Sequence, residues 1–371
     1  MNHPVRILQV ATIMDLGGLE NFLMNLYRNI DRTKLQFDFL VHRHNEGAFD
    51  KEILDLGGKI YRFNPIKPLQ YFQYISELNV FFKNHPEYAI VHSHINATSA
   101  FILKVAKKQG VPVRIAHSHI AASVKSYKVL VDMLATQVPK QATHRLACSQ
   151  DAGKWLYGNH DFLIFNNAID TDKFRFNKEK REEIRSSLRL NEEDILIGHV
   201  GRFNHQKNHE FIIKIFSVFL SNNPNSKLIL IGEGDLKEKL VKQIKDLGIK
   251  DHVVFTGAIQ NSQDYLSAMD LYLFPSLVEG LPLALVEAQS NGLPILMSDS
   301  IPQDSVLTDL INQERLQSSD KEWSKKIEEL LKSYKNNDRS VYSEKVLLKG
   351  FDVVENAKRI EQLYLTAHSK K

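Results

Sequence analysis

The stretch Phe274-Pro275-Ser276-Leu277-Val278-Glu279-Gly280-Leu281-Pro282-Leu283-Ala284-Leu285-Val286-Glu287-Ala288 passes from a strand through a turn to a helix. The apolar run Leu271–Phe274 reads as a strand, Glu279 and Gly280 fall in the turn, and Pro282 stands where a helix opens. A proline at the first helical position gives up an N–H that would have no partner there anyway. The free N–H groups of that first turn make an anion site, and phosphate is its commonest occupant. If Glu279 and Glu287 share the helix, they stand about 12 Å apart along its axis and about 80° apart around it. A nucleotide sugar laid past such a helix would meet one carboxylate with its sugar hydroxyls and the other with its ribose, its diphosphate lying between them. An isolated pair of this kind would read as a dipole-favoured acid and a solvated one. The surrounding strand, turn and helix favour the ligand site.

Working outward, the same strand-to-helix grammar recurs along the chain. Short apolar runs at Val5–Ala11, Leu35–Val41, Lys59–Phe63, Ile90–His94, Val113–His117 and His144–Ala147 alternate with amphipathic stretches. A second series follows at Ile195–Val200, Lys227–Ile231, His252–Thr256, Leu271–Phe274 and Pro294–Met297. Alternation of this kind builds parallel sheets covered by helices, the α/β class. At 371 residues the chain exceeds the roughly 250–300 at which a single core stops growing, so two domains are expected. The stretch Asn166–Phe174 and the charged run Lys178–Arg189 separate the two series, giving a first domain over 1–168 and a second over 169–349. Residues 350–371 read as a closing helix, with apolar positions Phe351, Val354, Ala357, Ile360, Leu363 and Tyr364, packing back towards the first domain. Parallel sheets bind ligands beyond the carboxyl ends of their strands, so the expectation is two Rossmann-like domains with a cleft between them.

Three further constellations bear on chemistry. In Gly198-His199-Val200-Gly201-Arg202-Phe203-Asn204-His205-Gln206-Lys207 a strand runs into a glycine, and two fixed cations, Arg202 and Lys207, follow before the next helix. Arg by its planar fork and Lys as a point charge suit a departing diphosphate. Leu16-Gly17-Gly18-Leu19-Glu20 after the first strand lacks the G-x-G-x-x-G spacing of a tight dinucleotide site. Gly17 and Gly18 instead suit close approach of the backbone to a phosphate or sugar, or form a plain turn. His92, His94, His117 and His119 sit at strand ends with no glutamate or cysteine at zinc-like spacing, so they read as neutral hydrogen-bonding or packing imidazoles. Asp170-Thr171-Asp172 imitates the D-x-D of manganese-dependent transferases, but its place between the domains makes it a turn or cap. No metal is assigned.

Composition sets the remaining bounds. Cys148 is the single cysteine, so no disulfide framework exists and the cytosol is the expected compartment. No charged segment followed by an apolar run opens the chain, and no long apolar span occurs, so neither a secretory signal nor a membrane crossing is expected. Net charge is +4, yet between Phe101 and Gln150 eight basic residues (Lys104, Lys107, Lys108, Arg114, Lys125, Lys128, Lys140 and Arg145) face one acid, Asp132. Such a run is a solvated face or a contact with an anionic membrane or a phosphorylated acceptor. No aromatic-interleaved basic motif supports nucleic-acid binding.

Taken together, Gly17-Gly18-Leu19-Glu20, Val200-Gly201-Arg202 with Lys207, Ile231-Gly232-Glu233-Gly234, Phe255-Thr256-Gly257 and Glu279 to Glu287 resemble glycosyltransferase family 4, of the GT-B fold. The resemblance spans nearly the whole chain and is most specific in the second half. It implies a retaining transfer, without metal or cofactor, of a hexose or N-acetylhexosamine from a nucleotide diphosphate sugar, a UDP-sugar foremost. By motif, Arg202 and Lys207 would hold the diphosphate, Glu279 the sugar and Glu287 the ribose, with Gly280, Leu281, Pro282 and Leu283 lining the donor and Ile259 meeting the base. Gly17 and Gly18 would close on the donor from the first domain. His119 would stand near the reacting sugar, with His117 the competing assignment because His-Ser-His permits a shift of two. Ala168 departs from the family's Asn-Gly-Ile-Asp and puts the hinge geometry in question. Ser298–Pro302 and Asp352–Ala357 resemble the bacterial capsular and exopolysaccharide subgroup. That subgroup implies a glycan or lipid-diphosphate-sugar acceptor and a cytoplasmic enzyme, peripheral on the inner face of the cell membrane. The competing readings are a nucleotide-sugar 2-epimerase and a silent sugar-nucleotide-binding subunit.

Overall fold

The computed structural model describes residues 4–15, 17–66, 70–119, 128–279, 281–335 and 337–369. The chain divides into two compact units, Met1–Ala168 with Val353–Lys371, and Ile169–Asp352.

The first unit holds a seven-stranded parallel sheet of β1 (Val5–Ala11), β2 (Leu35–Val41), β3 (Ile60–Arg62), β4 (Ile90–Ser93), β5 (Val113–Ser118), β6 (His144–Ala147) and β7 (Leu163–Ile164), in the order β3-β2-β1-β4-β5-β6-β7. Its centre is buried on both faces, as parallel sheets are, and every residue of β2 is buried. That burial includes Asp38, which is tolerated because Arg6 ion-pairs with it and the Tyr88 hydroxyl donates to it at 2.7 Å. The second unit repeats the design with β8 (Ile195–Val200), β9 (Ser226–Ile231), β10 (Val253–Gly257), β11 (Leu271–Phe274), β12 (Ile295–Ser298) and β13 (Ile311–Glu314), in the order β10-β9-β8-β11-β12-β13. Each sheet reverses its strand order once, between β1 and β4 and between β8 and β11. The loops leaving those strands diverge there and open a crevice at the carboxyl edge.

The strands fall where the apolar runs placed them, with ends shifted by a residue or two. Two were not expected. β7 has two residues, too few to carry a pattern, and β13 reads Ile-Asn-Gln-Glu, a polar edge strand without an apolar run. The last helix runs Val353–Ser369, two residues later than its apolar periodicity starts at Phe351. Ile169 pairs with Asp352 in an isolated bridge, which holds Phe351 and Asp352 in the second unit. The helix then returns the chain to the first unit, where Ala357, Ile360 and Tyr364 join its core. Ala168 is buried and is not among the residues with positive φ, so the turn there uses an ordinary backbone. Asp170 and Asp172 act within their own turn: Asp170 Oδ1 accepts from the Lys173 amide at 2.9 Å, and Asp172 pairs with Arg175.

Candidate functional site

In the second unit the site is built by two loops leaving neighbouring strands. The loop after β8 holds a short 3-10 turn, His205–Lys207, whose start is capped by Asn204 accepting from the Lys207 amide at 3.1 Å. Asn208 then turns the chain with φ 57° and ψ 40°, a conformation asparagine tolerates better than most residues. The loop after β11 is tied to this one at three points. The Leu277 amide donates to the Gln206 carbonyl at 2.8 Å, Gln206 Nε2 donates to the Val278 carbonyl at 2.8 Å, and Asn208 Nδ2 donates to the Pro275 carbonyl at 3.1 Å. These ties set Lys207 Nζ 2.7 Å from Glu279 Oε1, with both side chains largely buried. Gln206 Nε2 also reaches Glu279 Oε2 at 3.2 Å, and the Lys207 ammonium lies 5.0 Å from the Phe274 ring centroid. Arg202 stands on the same loop with its side chain exposed, and among the described residues its guanidinium makes no hydrogen bond or ion pair.

Glu279 does not share a helix with Glu287. The helix runs Leu283–Ser290, with Pro282 as its N-cap at ψ 107° instead of its first turn. Leu281 precedes a proline and is pushed out of the α region, so the helix cannot extend back to Glu279, and the spacing expected along one axis does not apply. Leu281 and Leu283 pack against the unit's core. Gly280 lies outside the described residues. Glu287 is on the helix, where burial pushes its carboxyl up to about 7 against the opposing pull of Lys173. Tyr272, fully buried beneath these loops, feels the charge of both Glu279 and Glu287, and its hydroxyl donates to the Val200 carbonyl at 3.1 Å. Gly232 has φ 143°, and a Cβ there would come 2.1 Å from the Gly201 carbonyl oxygen, so the glycine-rich loop after β9 must be bare to lie against the loop after β8. Ile259 is half-buried beyond β10.

The tying residues Gln206, Asn208 and Tyr272 were not singled out from the sequence. The spacing of Asn204 and Asn208 around three residues was a readable capping signal. The hydroxyl of Tyr272 carried none.

The first unit presents its own carboxyl-edge cluster. Gly17 caps the helix Gly18–Asn29 in an extended conformation, and a Cβ on Gly18 would meet nothing within 4 Å, so that turn is open above the helix. Glu20 folds back over Gly17, and burial raises its carboxyl above the ordinary range. His92, His94, His117 and His119 gather at the ends of β4 and β5 with the edge of Phe22 against three of them. Burial lowers all four: His92, His94 and His117 well below 6.5 and His119 to about 3, so the cluster is neutral at physiological pH. One nitrogen from each of His92, His94 and His117 lies within 4.8 Å of the others. Two nitrogens on one tetrahedral zinc stand roughly 3.3 Å apart, from Zn–N bonds near 2.0–2.1 Å. Both His94 nitrogens are already engaged, by His119 and Gln9. Nε2 of His92 and both nitrogens of His117 have no hydrogen-bond partner among the described residues, so the cluster is hydrogen-bonded only in part.

A cavity of about 680 Å³ in the second unit lies elsewhere, against Asp194, Ile195, Asp270 and Pro294 at the amino-terminal ends of the strands. Its arginines are occupied: Arg181 pairs with Asp270, and Arg339 donates to the carbonyls of Leu266, Met269 and Asn291. Arg202 and the Lys207–Glu279 pair belong to the opposite, carboxyl edge.

Residues 16–173 match the model of Glycosyltransferase Family 4, and residues 180–346 that of Glycosyl transferases group 1. The Bacillus subtilis (strain 168) protein EpsF, named as a glycosyltransferase, is 33% identical over 307 residues, covering 80% of each chain. The chain belongs to glycosyltransferase family 4. A second relative, the UDP-Gal:alpha-D-GlcNAc-diphosphoundecaprenol alpha-1,3-galactosyltransferase of Escherichia coli, is 29% identical over 226 residues, covering 57% of this chain and 58% of its own. Among solved structures, Anabaena HepE in complex with UDP superposes with a TM-score of 0.80 over 97% of this chain and 100% of its own, at 16% identity. That likeness shows the fold, the two parallel-sheet domains of GT-B glycosyltransferases. No helix among the described residues is long and apolar enough to cross a membrane.

Proposed function

We propose that this family 4 enzyme transfers a hexose or N-acetylhexosamine from a UDP-sugar, with retention and without a metal, to a lipid-linked glycan acceptor in surface polysaccharide synthesis. The observation that carries the reading is the Lys207–Glu279 pair, held at the switch point between β8 and β11, with Arg202 on the same loop as Lys207 and its guanidinium without a partner among the described residues. A diphosphate arriving there draws Lys207 and Arg202 onto its oxygens and releases Glu279 to accept from a sugar hydroxyl. As the glycosidic bond breaks, charge grows on the leaving diphosphate, and two fixed cations stabilise it without a divalent ion. The helix opening at Leu283 adds its free N–H groups, and Glu287 accepts from the ribose. In the first unit, His119 meets the sugar and Gly17 and Gly18 close on the donor.

UDP as the nucleotide draws on two neighbours: HepE, solved with UDP, and the Escherichia coli relative, named for UDP-Gal. That relative's acceptor, a diphosphoundecaprenol sugar, supports a lipid-linked acceptor. So does the basic stretch from Phe101 to Gln150, which would meet such a lipid at an anionic membrane surface. The test is titration of the protein with UDP and GDP by calorimetry in EDTA. The reading expects UDP to bind, to bind more tightly than GDP, and to lose affinity in Arg202→Ala. Equal or absent binding of both nucleotides would remove the proposed donor.

A further inference from the structure

The histidines of the first unit are threaded by a chain of hydrogen bonds whose directions depend on one another. His119 Nε2 lies 2.9 Å from His94 Nδ1, and His94 Nε2 lies 2.9 Å from Gln9 Oε1. The other end of the same amide, Gln9 Nε2, donates to Tyr364 Oη at 3.0 Å, and Tyr364 Oη is 2.6 Å from His92 Nδ1. Gln9, His92, His94 and Tyr364 are each at most 1% exposed, so no water competes for these positions.

A carbonyl oxygen only accepts, so the proton between Gln9 and His94 sits on His94 Nε2. Burial keeps His94 neutral, which leaves its Nδ1 bare. His119 Nε2 must then be the donor in their contact, and neutral His119 in turn has a bare Nδ1. In the other direction Tyr364 accepts from Gln9 and gives its own proton to His92 Nδ1, so His92 carries its proton on Nε2. Turning the Gln9 amide end for end would reverse every one of these assignments together.

We propose that Gln9 and Tyr364 are positioning residues, Tyr364 fixing His92 and Gln9, through His94, fixing His119 in the tautomer with a bare Nδ1, so that His119 recognises a hydroxyl of the sugar and rejects anionic or carbonyl oxygen at that point. This rests on the reading that puts His119 beside the reacting sugar. A second observation points to a ligand. His119 Nδ1 is buried and has no hydrogen-bond partner among the described residues, so the chain ends in an acceptor waiting for a donor. A sugar hydroxyl supplies an O–H, whereas a diphosphate oxygen supplies only lone pairs. The last helix of the chain, which carries Tyr364, thereby sets the chemistry of histidines on β4 and β5.

The experiment is a long-range nitrogen–proton correlation spectrum of the full chain labelled with ¹⁵N-histidine at pH 7, with signals assigned through His119→Gln and His92→Gln. The expected spectrum has pyridine-like Nδ1 and pyrrole-like Nε2 on both His94 and His119. In Gln9→Leu those two residues spread over both tautomers, while in the milder Tyr364→Phe the change centres on His92. Unchanged UDP affinity and cooperative heat unfolding certify that each variant is folded. A protonated Nδ1 on wild-type His119 overturns the proposal, as do unshifted His94 and His119 signals in folded Gln9→Leu. If Gln9→Leu does not fold, unshifted His92 signals in Tyr364→Phe overturn it instead. The spectra need no substrate, so they stand apart from the functional reading. With the expected tautomers present, full turnover by His119→Gln would remove His119 from the sugar and leave the chain intact.

Discussion

Replacing Lys207 by methionine separates what this lysine does for the fold from what it does for the donor. The stem keeps its packing beside the Phe274 ring, but the ammonium 2.7 Å from Glu279 is gone. Glu279 has a side chain 8% exposed and, among the described residues, is left with Gln206 Nε2 at 3.2 Å as its donor. Removing one partner of a buried pair strands the other charge, at a cost of about 3 kcal/mol in stability. The double variant Lys207→Met/Glu279→Gln removes the stranded charge and should recover most of that loss, because a neutral amide at the same place demands far less solvation. Transfer behaves otherwise. Both variants lack a preorganised cation for the leaving diphosphate, so turnover at saturating donor should fall on the order of 10²–10³-fold in each. Urea unfolding measures the first quantity and initial rates the second. Three results would refute the reasoning: a single variant as stable as wild type, a double variant no more stable than the single, or wild-type turnover in either.

Arg202→Ala should lower turnover by on the order of 10²-fold while leaving urea unfolding unchanged, because the exposed guanidinium has no partner to lose among the described residues. Glu287 should impose a pH dependence on stability. Its carboxyl titrates near 7 in the folded protein against 4.5 for an ordinary glutamate, so the native state holds more protons between those values. Stability should therefore fall as pH rises from 4.5 to 7, by at most about 3 kcal/mol, and the slope should flatten in Glu287→Gln. A slope unchanged by that substitution in urea melts would assign the titration to another group. Changing Lys104, Lys107, Lys108, Lys125 and Lys128 together to glutamine should weaken sedimentation with anionic vesicles, most at low salt, and spare UDP binding. Equal sedimentation of both proteins would mark that stretch as a solvated face.

Much of the fold was legible because parallel sheets advertise themselves. Runs such as Leu228–Ile231 and Leu271–Phe274, buried on both faces, are apolar without interruption. The edge strands β7 and β13 were not legible, since a partly exposed edge needs no apolar run. At the site, residue types and their order placed Arg202, Lys207 and Glu279 on strand-end loops, but not the contact between them. That contact depends on Gln206, Asn208 and Pro275, whose hydrogen bonds cross between segments about 70 residues apart in sequence. The helix opens one residue after Pro282, and Glu279, in the turn before that proline, could not be measured along the helix axis. Four histidines in two His-Ser-His or His-x-His patterns were visible as a group. Their protonation was not, because it is set by Gln9, 85 residues from His94, and by Tyr364, 272 residues from His92.

A retaining, metal-independent transfer from a UDP-sugar leaves an α-linked product and needs no divalent ion. Proton NMR of the reaction followed from its first minutes, with UDP-galactose or UDP-N-acetylglucosamine, a short-chain lipid-diphosphate sugar and EDTA in one tube, tests it most directly. A new α-anomeric signal should grow only when acceptor is present, at the same rate with or without the chelator. A β-linked product, a rate abolished by EDTA and restored by manganese, or a 2-epimer formed without acceptor would contradict it.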